Sequence, residues 1–318
     1  MSTNNPDELQ SQLIKAYKEL ESKQPQVALA RLERVQLKWQ ENSDIKHLMA
    51  LTHKSLGDLA ESRKHFLQCL EINPKQPEVH NNLANLLKSQ ERFYEAEEHY
   101  LQALLLHPNY LQAQRNLAIC YQAQTKYKDA IMAYNKVLEL SASDASAING
   151  IADCWRLLGD LKTAHQTYKT AVAVDPQRFK SWHNMGVNFH LKGQLNEAIE
   201  CYKKAYKLAP NISEAAESLA SALYESGEVK AAIDVFTLAL KANPDNVILH
   251  ERLNSMLWET EFKHLYCDSY VTAMSSLSNN QDIALSYAMM LYRAGETEQA
   301  KNIIDNTGLT VSDKANVL

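Results

Sequence analysis

The chain repeats itself every 34 residues, and this period limits its fold more than any other property it has. One phase fits from residue 9 to residue 314, with units beginning at Leu9, Ser43, Pro77, Leu111, Ala145, Phe179, Ser213, Val247 and Gln281. With positions numbered from 1 inside each unit, position 8 reads Ala16, Ala50, Ala84, Ala118, Ala152, Gly186, Ala220, Asn254 and Ala288. Position 20 reads Ala28, Ser62, Ala96, Ala130, Ala164, Ala198, Ala232, Tyr266 and Ala300. Two small columns at fixed phase imply two helices per unit that cross closely, because a larger side chain at either would push the axes apart. Position 24 is aromatic in seven of nine units (Phe66, Tyr100, Tyr134, Tyr168, Tyr202, Phe236 and Tyr270) and supplies bulk between one helix pair and the next.

Punctuation keeps the same phase. Gly57, Gly159, Gly193, Gly227 and Gly295 occupy position 15, where the first helix ends and the turn favours a residue that tolerates positive φ. Pro74, Pro108, Pro176, Pro210 and Pro244 occupy position 32 and end the second helix. Helices of about a dozen residues are too short to be stable alone, so stability has to come from stacking each pair on its neighbours. The run Trp182, Met185-Gly186, Phe189, Gly193, Ala198, Tyr202 and Pro210 resembles the tetratricopeptide repeat almost letter for letter. That resemblance covers nearly the whole chain. It implies an all-α fold: a right-handed superhelix (an α-solenoid) of about nine helix-turn-helix repeats, one array over residues 1–318, with the first helices lining a concave face.

Two units depart from the pattern. The one from Leu9 carries Lys15 at position 7 and Glu19 at position 11, which suits a more polar end cap. The one from Val247 (247–280) is degenerate, with Asn254 and Tyr266 at both small positions, Glu261 for glycine and Ser278 for proline. Close helix approach is blocked there twice, so either the packing changes or the unit spreads locally to absorb the substitutions. Residues 315–318 read as the start of a further helix or a cap. Either Val311–Leu318 folds back over the end, or the chain continues into something longer.

Composition removes several function classes. The net charge of -5 offers none of the basic excess that phosphate binding requires, so no nucleic-acid partner is expected. No apolar run approaches a membrane span, and no membrane insertion is expected. Five widely spaced cysteines without a CxxC pair point to reduced thiols and a cytoplasmic location. The common nucleotide-binding, metalloprotease and hydrolase motifs are missing, as is any H-x-D or H-x-E. No enzyme activity, no metal and no cofactor are expected. His183 and His190, seven apart on one helix face, read as polar contacts rather than ligands. Cys120 and Cys154, both at position 10, read as buried structural thiols.

In this family the groove is lined by positions 2, 5, 6, 9, 12 and 13. Position 6 supplies Asn82, Asn116 and Asn184, interrupted by Gly150; Asn81 and Asn149 stand at position 5 and Asn85 at position 9. These asparagines are similar to the ladder in the superhelix of O-GlcNAc transferase, where amides grip an extended peptide backbone, each offering a donor and an acceptor. The alternative is that each amide bonds a neighbouring turn. The chaperone carboxylate clamp is not matched, because Ser146 and Gly150 stand where it needs basic groups.

The N-terminal and middle repeats offer Lys54, Lys88, Arg115, Arg156 and Lys180, offset by Asp44, Glu78 and Asp153. From Glu214 the lining turns acidic and aromatic, with Glu217, Tyr224, Glu225, Glu251, Trp258 and Glu259. A ligand with acidic and basic segments would be oriented by that gradient, and Trp258 is the strongest candidate anchor. The function expected is a protein-protein interaction scaffold that takes an extended peptide or partner protein in its groove. A second reading is the N-terminal substrate-recognition region of a larger enzyme. The segments Leu253–Trp258 and Leu285–Gly295 are loosely similar to repeat regions preceding 2-oxoglutarate/iron oxygenase domains, and a glycosyltransferase fusion is a parallel case. A third is self-association into a homo-oligomer through the C-terminal end.

Overall fold

The structure, a computed structural model, describes residues 6–277 and 280–307. Residues 315–318, read above as a further helix or cap, lie outside the described residues, as do Ser278 and the C-terminal end assigned to self-association.

Among the described residues the chain forms α-helices and one 3-10 turn, and it divides into two compact units at Gly159 and Asp160. The first unit holds α1 (Pro6–Glu21), α2 (Pro25–Lys38), α3 (Ser43–Ser55), α4 (Leu59–Ile72), α5 (Pro77–Ser89), α6 (Phe93–Leu106), α7 (Leu111–Ala123), α8 (Tyr127–Leu140) and α9 (Ala145–Leu157). The second holds α10 (Leu161–Val174), α11 (Phe179–Leu191), α12 (Leu195–Leu208), α13 (Ser213–Glu225), α14 (Val229–Ala242), α15 (Val247–Trp258), α16 (Asp268–Ser276), α17 (Gln281–Arg293) and α18 (Thr297–Asn306), with the 3-10 turn Glu261–Leu265 between α15 and α16. The first helices from α3 onward start 34 residues apart. The opening helix starts at Pro6 rather than Leu9, with proline at its first turn, where the missing N–H costs nothing.

Starts and stops are set by local chemistry. Asn42, Asp58, Asp144, Asp160, Asn246 and Asn280 each accept a hydrogen bond from a backbone N–H of the first turn that follows them. First helices other than α15 end through a left-handed residue at position 15. At Gly193, for example, its N–H reaches His190 O and the next N–H reaches Phe189 O, which satisfies two end carbonyls. Lys23, Glu91 and Thr125 adopt the same left-handed conformation without being glycine, at φ 57°, 59° and 60°. The geometry belongs to the turn, and glycine is only its cheapest occupant.

Tyr266 apart, the two columns are buried, and they touch. Ser62 at position 20 donates its hydroxyl to Ala50 O at position 8, 2.8 Å away. The aromatic column lies against them. A Cβ on Gly186 would come within 2.7 Å of the Tyr202 ring, so position 8 is small because position 24 is large. Gly150, which breaks the asparagine series, has a similar cause two positions earlier in the helix. The Tyr134 ring fills the space a side chain there would need.

The repeat from Val247 is built differently. Its second helix begins five residues late and has nine residues, where α4, α6, α8, α10, α12 and α14 have fourteen. Asn254 is fully buried in the small column and works as a bracket. Its amide nitrogen donates to His250 O (2.8 Å) and to Ser269 Oγ (2.9 Å), and its carbonyl accepts from the Cys267 N–H (2.6 Å). Cys267, left-handed at φ 70°, is where α16 starts. Tyr266 leaves the crossing altogether, packing on Trp258 and donating its hydroxyl to Met290 O. The substitutions therefore change the packing: a polar bracket replaces close contact.

Candidate functional site

The groove positions sit on the first helices, and most of them are already paired with one another. At five junctions among the described residues, position 5 of one repeat meets position 6 of the next, 35 residues on. In the first unit Asn82 Nδ2 donates to His47 Nε2 and Asn116 Nδ2 donates to Asn81 Oδ1, each at 3.1 Å. In the second unit His183 Nε2 pairs with Ser218 Oγ (2.9 Å), Arg252 Nε donates to Glu217 (2.9 Å), and Ser286 Oγ donates to Glu251 (2.9 Å). Positions 12 and 13 make a second row, with His190 Nε2 2.8 Å from Glu225 and Tyr224 OH donating to Glu259 at 3.4 Å. These rungs join neighbouring repeats. His183 and His190 face different partners, and no ligand-sharing geometry links them.

Burial sorts the sequence candidates further. Asn81, Asn149 and His183 are 5%, 7% and 7% exposed, too enclosed to present their amides or ring to a partner. Asn149 donates to Asp153, and Asn85 accepts the hydroxyl of the buried Tyr100 at 2.7 Å. Arg115 pairs with Asp144, the carboxylate that caps α9, and Arg156 lies 3.8 Å from Asp153. Asn184 is half-buried and also engaged.

What is left differs between the units. In the first, Lys54 and Lys88 stand at position 12 of neighbouring first helices, and among the described residues neither makes an ion pair. Burial pushes the Lys88 ammonium below its ordinary pKa, opposed by Cys120, and the nearby Lys54 adds a smaller push in the same direction as burial. In the second, Lys180 and Glu214 are exposed, Glu217 and Glu251 are partly covered, and Trp258 is 39% exposed. The Lys263 ammonium lies 3.4 Å above the Trp258 ring, so this surface already holds one cation on an aromatic face.

Sequence reasoning missed a junction latch. His80, Trp182 and His250 all stand at position 4, and each ring N–H donates to the carbonyl of the proline six residues earlier: Pro74 (3.1 Å), Pro176 (2.9 Å) and Pro244 (3.0 Å). Since the carbonyl only accepts, Nε2 of both histidines carries the proton, and Nδ1 of each accepts. His80 Nδ1 takes its bond from His99 Nδ1 (3.1 Å), and His250 Nδ1 takes one from Ser269 Oγ (2.9 Å). Burial pushes His99 down to about 4. The recurring spacing of proline and a ring N–H donor was the available signal.

The five cysteines are free and buried. Burial raises Cys69 and Cys201 to about 11 and Cys154 and Cys267 to about 12, so these thiols stay protonated at neutral pH. Among the described residues no group of three His, Cys, Asp or Glu side chains is placed to hold a metal ion, and no helix is long and apolar enough to cross a membrane.

Three family models, each described as a tetratricopeptide repeat, match residues 43–76, 75–143, and 121–179 with 192–247, together more than half of the chain. The chain belongs to the tetratricopeptide repeat family. Proteins of this family are protein-interaction scaffolds. No curated protein sequence matches this tetratricopeptide repeat chain. Among solved structures, Pseudomonas aeruginosa pilF is similar at 19% identity, covering 68% of this chain and 98% of its own, with a TM-score of 0.56, which supports the fold. Two others overlap less well. YrrB, titled a TPR protein with an unusual peptide-binding site, has 19% identity, 59% and 96% coverage and a TM-score of 0.48. TTC0263, a thermophilic TPR protein of Thermus thermophilus, has 21% identity, 57% and 100% coverage and a TM-score of 0.48.

Proposed function

We propose that this tetratricopeptide repeat protein binds an extended partner segment along its first helices, through side chains that the rungs leave over. An acidic segment engages the first unit at Lys54 and Lys88. A basic segment engages the second at Trp258, with Lys180 and Glu214 at its margin. The observation that carries this reading is Lys88: a half-buried ammonium with no ion pair and a second lysine close by is a place where an incoming carboxylate gains from both charges. The Lys263 ammonium on Trp258 supports the second half, because a partner's lysine or arginine would take the same seat. Asn81, Asn82, Asn116 and His183 then serve the array by fixing how first helices lie side by side.

The test is an array of extended peptides of graded charge, probed with the whole protein at two salt concentrations. Acidic peptides should lose binding to the double variant Lys54→Glu, Lys88→Glu and weaken at high salt. Basic peptides should lose binding to Trp258→Ala and be untouched by the lysine changes. Retention of both peptide classes by the triple variant would overturn the assignment.

A further inference from the structure

The short second helix of the repeat from Val247 leaves space on the side away from the first-helix rungs. Between α14 and α16 lies a cavity of about 550 Å³, within the range of roughly 300–1,000 Å³ that small-molecule sites occupy. One wall is a single face of α14, carrying Ile233, Leu240 and Lys241, and the floor is Leu253 and Leu257 of α15. All four of these apolar side chains are almost wholly buried. His250 and Ser269 also reach the cavity, but their hydrogen bonds are spent on each other, on Pro244 and on Asn254, so the base demands no polar ligand atom.

Charge gives the cavity a direction. Lys241 is exposed and, among the described residues, makes no ion pair. By repeat position (29) it lies level with Ser276 (30), whose hydroxyl side chain also lines the cavity. At the other end Asp268 (22) is level with Ile233 (21), eight residues or about 12 Å of helix from Lys241. An anionic head is repelled at the Asp268 end and attracted at the Lys241 end, while the leucine floor between them asks for hydrocarbon.

We propose that this cleft is a binding site for one medium-length aliphatic carboxylate, its chain lying over Leu253 and Leu257 and its carboxylate meeting Lys241. The site is independent of the peptide surface on the first helices, and either can fail without the other.

Titration calorimetry with sodium decanoate and with 1-decanol tests it on the whole protein. Decanoate should bind saturably at one per chain, and decanol, lacking the charge, about fivefold more weakly. Lys241→Met, which keeps the aliphatic stem, should remove that advantage and leave decanol unchanged. Thr237→Trp, placing an indole from an exposed wall position into the cleft, should abolish both, with helix content by circular dichroism confirming the fold; Ser276→Trp serves if that variant does not fold. The proposal is overturned if wild type shows no saturable decanoate binding or binds decanol as tightly. It is equally overturned if decanoate binding survives a folded cleft-filling variant.

Discussion

The repeats from Phe179 and from Val247 answer the same packing problem in opposite ways. In the first, Gly186 and Ala198 vanish from the crossing, Tyr202 fills the space, and the first helix ends through the left-handed Gly193. In the second, Asn254 stays in the crossing and holds it by three hydrogen bonds, Tyr266 leaves it, and the left-handed residue moves to Cys267. Shape complementarity tolerates nothing extra, whereas a polar bracket tolerates bulk but depends on every bond being made. The comparison teaches that the 34-residue period outlives its own consensus. First helices keep their spacing when the means of packing is replaced, and the loss falls on the second helix.

Asn254→Ala should break the comparison most severely. It strands the buried Cys267 N–H and removes the bond that the Ser269 hydroxyl accepts, at a cost of about 3 kcal/mol. Hydrogen exchange should show α16 losing protection before any other described second helix, and equal protection across the second unit would contradict the bracket. Gly186→Leu attacks the other solution. With the Tyr202 ring 2.7 Å from where a Cβ would sit, overpacking should cost about 2 kcal/mol in urea unfolding, and a neutral result would mean the crossing has slack.

The position-4 latch sharpens the contrast through pH. His80 faces His99, whereas His250 faces a serine. His99 in the folded chain titrates at about 4, below the ordinary value of about 6.5. Its neutral form therefore contributes stability that is present above pH 6.5 and lost as pH falls toward 4. Exchange protection in α5 and α6 should decline across that window, and His99→Gln should flatten the decline. If the variant declines just as steeply, His99 is not responsible.

The smallest effect concerns the turn. Thr125→Gly should stabilise by about 1 kcal/mol, because a β-branched residue is strained at φ 60°. Glu261→Gly should give no such gain, since Glu261 is not left-handed and begins a 3-10 turn. A matching gain at both positions would show that the two turns are alike after all.

Much of the fold was legible because it rests on exclusion. A small residue at position 8 or a glycine at position 15 announces a space that nothing larger fills, and one sequence shows that by repetition. The polar parts were illegible for the converse reason. Asn254 reads as a misfit until Cys267 and Ser269 are known to reach it, and Asn116 reads as an open ladder rung until Asn81 is found opposite. Gly150 looked like a gap in the asparagine series, but it is a consequence of Tyr134 in the preceding repeat. The structure pairs several of the asparagine amides internally, while Lys54 and Trp258 are exposed and Lys88 is half-buried without an ion pair among the described residues.

The 35-residue rungs also give each repeat an address. The pairs are not copies of one another: histidine with asparagine, asparagine with asparagine, histidine with serine, glutamate with arginine, glutamate with serine. Excising residues 213–246 would keep the period intact and still set His183 opposite Arg252 in place of Ser218. Shortening, lengthening or reordering such an array would put mismatched side chains opposite one another. Each repeat is written for the neighbour it has, and the order of the chain is stored in its joints.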